Sequence, residues 1–426
     1  MTSSLTRREF LGTLAAGGML ARAHCLQEPL SLAAEPDAAG SSPGSPILVA
    51  VNLAGGNDGL NTVVPFANEF YLRARPRLAI PRSEVLALND ELGLHPELRG
   101  LAALYDEGEL AIVQGVGYPD QNRSHFRSSD IWETASDADR TESSGWLGRY
   151  LDAHGSGCCH EGLAIGGTMP KLLLARKART VTFLQLERYR LLQGSFSVTG
   201  DAPQDELFRE MNAVVRVKGA SGWELETGAR GPGADLAFLQ QTALDALVSS
   251  QSVAAAASCR VSASYGASSI GRDLGLVARL IGGGLSTRVF CVVQKGYDSH
   301  ADQLPAHARR LSELDAAIAA FAAEMKAQGN WKRVMLLTYS EFGRRLAENG
   351  NEGTDHGAAS VLFLAGGGIR PGFLGRMPSL APGDLLLGDP RFTTDFRSVY
   401  ALVIEKHLDG ESLPVLEREF PALEGA

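Results

Sequence analysis

No C-x₂-C pair occurs anywhere in the 426 residues, although the chain has five cysteines, Cys25, Cys158, Cys159, Cys259 and Cys291. That absence argues against a thiolate zinc site. No run after the N-terminal region is long and apolar enough to span a bilayer, so no transmembrane segment is expected in a mature chain. Basic charge is not in excess: 40 Lys+Arg stand against 49 Asp+Glu, a net charge of −9. Nonspecific binding to nucleic acid or anionic membrane is therefore disfavoured. The glycine runs at 282–284 and 366–368 lack the G-x-G-x-x-G spacing, and no P-loop occurs, so no phosphate cradle of that kind is expected. There is no internal repeat. "GGND" matches the G-x-N-D block of small serine esterases, but their Gly-Asp-Ser block has no counterpart upstream of it, which excludes that fold.

What is present begins at the N-terminus. "MTSSLTRREFLGTLAAGGMLARA" places Arg7-Arg8 before the mildly apolar stretch Leu11–Ala21. This is the order of a twin-arginine signal. Candidate cleavage points are Ala21-Arg-Ala23 and Ser31-Leu-Ala33. The expected organisation is a signal over 1–33, a Pro/Gly/Ser tether over 34–45 and a folded domain over 46–426, with about 160–270 an insertion or cap. The expected partner in export is the twin-arginine machinery, and the destination periplasmic or extracellular. Cys158 and Cys159 are candidates to pair with Cys259 in an oxidising compartment, whereas Cys291 in "RVFCVV" reads as a buried thiol.

Beyond the tether, short apolar runs alternate with helical patterns. "PILVAVNLA", "LAIVQGVG", "TRVFCVVQK", "RVMLLTYS" and "ASVLFLAGGG" read as buried strands, with weaker strands near Leu163 and Val181. "HPELRGLAALYDEGE", "RSHFRSSDIWETA", "SGWLGRYLDAH", "RDLGLVARLIGGGL" and "TDFRSVYALVIEKHL" read as helices. Another helical candidate covers Asp235–Ser258. Leu304, Ala308, Leu311, Leu314, Ile318, Phe321 and Met325 form one apolar face of a long helix. This alternation predicts an α/β fold: a mainly parallel sheet with helices on both faces. In such sheets function gathers at the carboxyl ends of the strands.

Polar residues follow the apolar runs at those ends. Asp58 follows the first strand, Asp298 and His300 follow "RVFCVVQKGY", and Glu341 follows "RVMLLTY". Asp355 and His356 come just before "ASVLFLAGGG". Each has an ordinary structural explanation: a turn, a helix cap, an arginine partner. Together they imply more. Two like charges 4 Å apart repel by roughly 4 kcal/mol at an effective dielectric near 20. Four carboxylates in one cleft need compensation, from Lys295, Arg344 and Arg345 or from a divalent cation. Mixed Asp/Glu/His donors suit zinc, manganese or magnesium. Such a cleft activates a hydroxyl or water. Ser124 in "NRSHF" opens a helix and is the candidate nucleophile, with a plain N-cap as the alternative. Arg123 and His125 flank it as candidate contacts for an anionic substrate.

"LVAVNLAGGNDGLNTVVPF", "GLHPELRGLAALYDEGELAIVQGVGYPDQNRSHF", "GWLGRYLD", "GYDSHADQ", "TYSEFGRRLAENGNEGTDHG" and "TTDFRSVYA" together resemble the domain-of-unknown-function-1501 family of twin-arginine-exported proteins. That family looks like a distant branch of the alkaline phosphatase/sulfatase superfamily. The resemblance implies an alkaline-phosphatase-like fold, with Asp58, Asp298, His300, Glu341 and His356 in metal-binding places and Ser124 in the nucleophile's place. It departs from that layout at Phe342, where a second metal expects His, in the tight Asp298–His300 spacing, and in the added acid Asp355. Two functions compete: a metal-dependent hydrolase of phosphate or sulfate esters, or a noncatalytic protein holding an anionic ester or glycan.

Overall fold

The computed structural model describes residues 44–183, 218–219, 222–223 and 248–426. The expected signal, nearly all of the tether and most of the 160–270 region lie outside these residues. So does the helical candidate at Asp235–Ser258 up to residue 247; residues 248–256 are helical. Among the described residues no helix is long and apolar enough to cross a membrane. Residues 218–219 pair with 222–223 in a short ribbon belonging to a separate unit.

One mixed sheet organises the main unit. In chain order its strands are β1 (Ile47–Ala54), β2 (Leu110–Gly117), β3 (Gly162–Ile165), β4 (Thr180–Phe183), β5 (Val289–Lys295) and β6 (Val334–Tyr339). Beyond β6 a ribbon of β7 (Gly343–Glu348) and β8 (Thr354–Gly357) stands off the sheet. The chain then re-enters as β9 (Ser360–Gly366), β10 (Gly372–Leu374) and β11 (Thr394–Asp395). The spatial order is β10-β2-β9-β6-β1-β5-β3-β4, with β11 also on β2. All neighbours are parallel except along β9, which runs against both β6 and β2. β3 and β4, inside the region read from about 160 as an insertion or cap, belong to this sheet.

The strands are apolar throughout because both faces are covered. Along β1, Ile47, Val49, Val51 and Leu53 enter one core while Leu48 and Ala50 enter the other. The first core packs α1 (Arg99–Asp106), α3 (Ser269–Gly282) and α4 (Gln303–Ala327). The second packs α2 (His125–Thr134) and α5 (Phe396–Lys406). Of the anticipated apolar face of α4, Leu311, Leu314, Ile318, Phe321 and Met325 are buried, whereas Leu304 is exposed and Ala308 half-buried.

α2 is held firmly. Trp132 stacks on Phe396 with ring centres 4.4 Å apart. Such pairs contribute about 0.5–1.5 kcal/mol beyond burial. Tyr400 donates its hydroxyl to the Trp132 carbonyl at 3.1 Å. At the other end of α2, Ser128 donates to the Glu341 carbonyl. The first turn of α2 is thereby fixed against the end of β6.

Candidate metal centre

The carboxyl ends of β1, β5 and β6 meet at one place. After β1 the chain turns through Gly55 and Gly56, with φ of +124° and +79°. A Cβ on Gly55 would stand 2.4 Å from the Asp298 nitrogen, so only glycine permits this approach of β1 to the loop after β5. The Gly55 N–H donates to both Glu341 oxygens, at 2.9 and 3.1 Å. Arg344, fully buried, donates to the carbonyls of Gly56 at 2.7 Å, Thr354 at 2.9 Å and Tyr297 at 3.0 Å. It also pairs with Asp298 Oδ1 at 2.8 Å. One guanidinium therefore ties together the loops that carry the site.

Three imidazoles surround Asp298. His300 Nε2 and His356 Nε2 lie 3.0 and 3.2 Å from Oδ1, and His125 Nε2 lies 3.5 Å from Oδ2. The two nitrogens of His300 and His356 are 3.0 Å apart. Each ring uses its other nitrogen elsewhere. His356 Nδ1 faces the Arg123 carbonyl at 2.8 Å, which only accepts, so Nδ1 carries the proton. His125 Nδ1 faces Glu341 Oε1 at 2.8 Å, and His300 Nδ1 faces Asp355 Oδ1 at 3.3 Å. Carboxylates accept, so these nitrogens donate as well. Burial also pushes the His356 pKa down, favouring the neutral ring. With each ring neutral in these tautomers three Nε2 lone pairs face one carboxylate; with Nε2 protonated the same contacts are N–H···O bonds to Asp298.

A positive centre satisfies that arrangement, as protons on the Nε2 atoms or as a bound cation. Donors bound to one ion at about 2.0–2.2 Å stand about 3.0–3.5 Å from each other. The distances of His300 and His356 from Asp298 Oδ1 and from each other fall in this range, His125 stands 3.5 Å from the other Asp298 oxygen, and one donor atom each of His125, Asp298 and His356 lie within 4.8 Å of one another. The backing of each imidazole by a carboxylate or carbonyl is what metal-ligating histidines require. The donors fit a divalent cation. Burial raises the pKa of Asp298, but the Arg344 hydrogen bond, then His356 and the charges of Arg344 and His300, hold it at about 2. It is ionised in any neutral solution.

The residues expected at the site divide into three groups. Asp298, His300 and His356 come together as expected. Glu341 and Asp355, expected as direct ligands, stand behind His125 and His300, while His125, expected at the substrate, turns its Nε2 to Asp298. Asp58 is not in the cluster. It is buried against Arg75, Nη1 to Oδ2 at 2.6 Å and Nη2 to Oδ1 at 3.1 Å, with Gln303 also donating to it. It also accepts from the Leu60 N–H at 3.2 Å. Burial raises its pKa, but Arg75 overrides this and the net shift is downward. Arg123 pairs with buried Asp389, so its guanidinium is committed. Ser124 is the exposed N-cap of α2, and no hydrogen bond involves its hydroxyl among the described residues. Phe342 is fully buried, its ring 4.3 Å from that of His356 and 4.9 Å from that of His125. Of the three cations proposed to balance the acids, Arg344 does so at Asp298.

Sequence reasoning missed Arg75, Gln303 and Asn349. Asn349 donates to the His300 carbonyl at 3.0 Å and to Asp355 Oδ1 at 3.3 Å. Arg75 lies in a stretch with no periodic or motif signal. The clue to His125 was its place in the first turn of a helix that opens toward the strand ends.

No protein of curated function matches the chain. Several solved structures resemble it distantly. A protein of the alkaline phosphatase superfamily from Vibrio parahaemolyticus shares 10% identity at a TM-score of 0.38, covering 98% of this chain and 80% of its own. A phosphonate monoester hydrolase from Silicibacter pomeroyi shares 12% at 0.35, covering 88% and 77%. The C-terminal periplasmic domain of EcEptC from Escherichia coli, in a complex with Zn, shares 10% at 0.32, covering 77% and 74%. Residues 46–385 match the family described as "Protein of unknown function (DUF1501)", and the chain belongs to that family.

Proposed function

We propose that this protein is a metal-dependent hydrolase of phosphate or sulfate esters, exported by the twin-arginine route to the periplasm or beyond. The carrying observation is the convergence of His125, His300 and His356 Nε2 on Asp298, each ring with its Nδ1 committed. The residues would hold zinc, manganese or magnesium. A divalent ion in such a place supplies Lewis-acid polarisation and eases deprotonation of a hydroxyl. Ser124 directly precedes His125 and its hydroxyl has no hydrogen bond among the described residues, which supports it as the nucleophile. The N–H groups of the first turn of α2 are suited to an anionic ester. Glu341 orients His125, and Phe342 packs against the rings of His125 and His356. Export is supported by the Arg7-Arg8 block and the apolar stretch after it.

A second reading is a noncatalytic exported binder of an anionic ester or glycan. Phe342 favours it, because that side chain fills the space beside two imidazoles where a second ligand set would begin. Metal analysis of the purified protein, with Ser124→Ala and His356→Ala variants on a panel of phosphate and sulfate esters, separates the readings. The hydrolase reading expects metal in wild type and Ser124→Ala, loss in His356→Ala, and turnover only in wild type. Metal without turnover in wild type favours the binder. A wild-type protein that takes up no divalent metal defeats both.

A further inference from the structure

A second group of metal-ligating side chains lies at the other edge of the sheet. Cys158, Cys159 and His160 precede β3, and Ser286 precedes β5, so they stand at the amino ends of these two strands, and the carboxyl end of β5 carries part of the site above. β5 has seven residues, which at about 3.3 Å each sets the two places about 20 Å apart. Cys158, Cys159 and His160 are all buried, with exposures of 5%, 7% and 1%. One donor atom from each lies within 4.8 Å of the others. Cys158 Sγ is 3.4 Å from His160 Nδ1 and 3.3 Å from Ser286 Oγ. Neither cysteine is in a disulfide among the described residues.

We propose that Cys158, Cys159 and His160 form a second cation site, selective for a thiophilic d¹⁰ ion, Zn²⁺ or Cu⁺. Thiolate sulfur and imidazole nitrogen bound at about 2.3 and 2.0–2.1 Å to one ion stand roughly 3.5 Å apart, close to the observed Cys158–His160 separation. Two thiolates and an imidazole are soft donors. Both thiols release their protons to solvent as the ion binds. The loop is already anchored: the His160 carbonyl accepts from Thr287 Oγ1 at 2.6 Å, and the Glu161 carbonyl accepts from the N–H groups of Arg288 and Val289. A cation here would clip the entry to β3 onto the entry to β5. The expectation from spacing missed the site because it looked for C-x₂-C, whereas the donors are consecutive. The site stands independently of the catalytic reading.

The test titrates reduced, metal-stripped protein with Zn²⁺ and, separately, Cu⁺ against a chromophoric chelator. Wild type should hold one more equivalent of at least one of the two ions than Cys158→Ala, and His356→Ala should keep that equivalent. Co²⁺ should give a sulfur-to-metal charge-transfer band that Cys158→Ala lacks. Thiol labelling of wild type gives a second reading independent of how the variant folds: the ion should slow labelling of Cys158 and Cys159 at least 10-fold, reversed by chelator. A Cys158–Cys159 disulfide in freshly purified protein by mass, or thiol labelling unchanged by either ion, overturns the proposal.

Discussion

Replacing Asp58 by Asn tests whether this acid serves the fold or the metal. Asp58 and Arg75 have fully buried side chains, paired through two contacts. Removing one charge of a buried pair costs about 3–5 kcal/mol, because the other is left in a poor solvent. Arg75 would keep the Asn61 side-chain oxygen at 2.7 Å and the carbonyls of Arg345 and Leu346 at 2.8 and 2.9 Å. These dipoles place the expected loss near 3 kcal/mol, the low end. Denaturant titration should show it as a lower midpoint at unchanged slope. Metal content, measured on folded protein, should stay at the wild-type value. The double variant Asp58→Leu/Arg75→Met should recover much of the stability, since apolar replacement of a buried pair is often neutral. Full stability in Asp58→Asn with loss of bound metal would refute the assignment and return Asp58 to the ligand set.

Glu341→Gln should keep the fold and lower metal affinity by about 10–100-fold in calorimetry, because the carboxylate acts through His125 and not on the ion. Gly55→Ala should lose metal binding and at least about 1–3 kcal/mol of stability, since it strains a positive φ and drives a Cβ into the Asp298 backbone. Stability should fall with acid through His95 and His307. Burial lowers their pKa values to about 4 and about 3. Both stay neutral in the fold while the unfolded chain takes up protons below pH 6.5, so stability is retained above that pH. Between pH 6.5 and 4 each histidine removes about 1.4 kcal/mol per pH unit at most. Denaturation midpoints at pH 7 and pH 5 measure the slope, and His307→Gln should flatten it. His307 Nε2 bonds Asn57 Oδ1 at 3.0 Å, but buried Nδ1 has no hydrogen-bond partner among the described residues, so a second proton there finds no acceptor among them.

Much of the sheet was legible because both its faces are covered, which makes strands read as unbroken apolar runs. Val334–Tyr339 and Val289–Lys295 stand where the runs lie. The direction of Ser360–Gly366 was not legible. It runs antiparallel because the ribbon of β7 and β8 returns the chain to the edge of β6 without a crossover helix. That ribbon had no apolar alternation to announce it; "TDHG" is a strand by virtue of pairing with Arg344. The site was legible as a gathering of residues but not as a set of roles. Spacing places Glu341 and Asp355 near the cluster. Whether a carboxylate faces an ion or an imidazole depends on rotamers and on partners such as the Gly55 N–H, hundreds of positions away in sequence.

The physical reason for expecting a cation therefore changes. Four crowded carboxylates were to demand one, but the fold gives each of them partners of its own. Asp58 has Arg75, Glu341 has a backbone N–H and His125, and Asp355 has Asn349 and His300. Asp298 alone remains at the centre, already partnered by Arg344. What now calls for positive charge is the close approach of imidazole lone pairs, two of them 3.0 Å apart. This shift bears on the ion. Magnesium favours oxygen donors and retained water, whereas nitrogen-rich sets favour zinc and its transition-metal neighbours. Of the three ions proposed, zinc and manganese suit three histidines and one aspartate better than magnesium does. Competition on metal-free protein should show zinc bound at micromolar levels in the presence of millimolar magnesium. Displacement of zinc by that excess of magnesium would mean that oxygens, and not these imidazoles, face the ion.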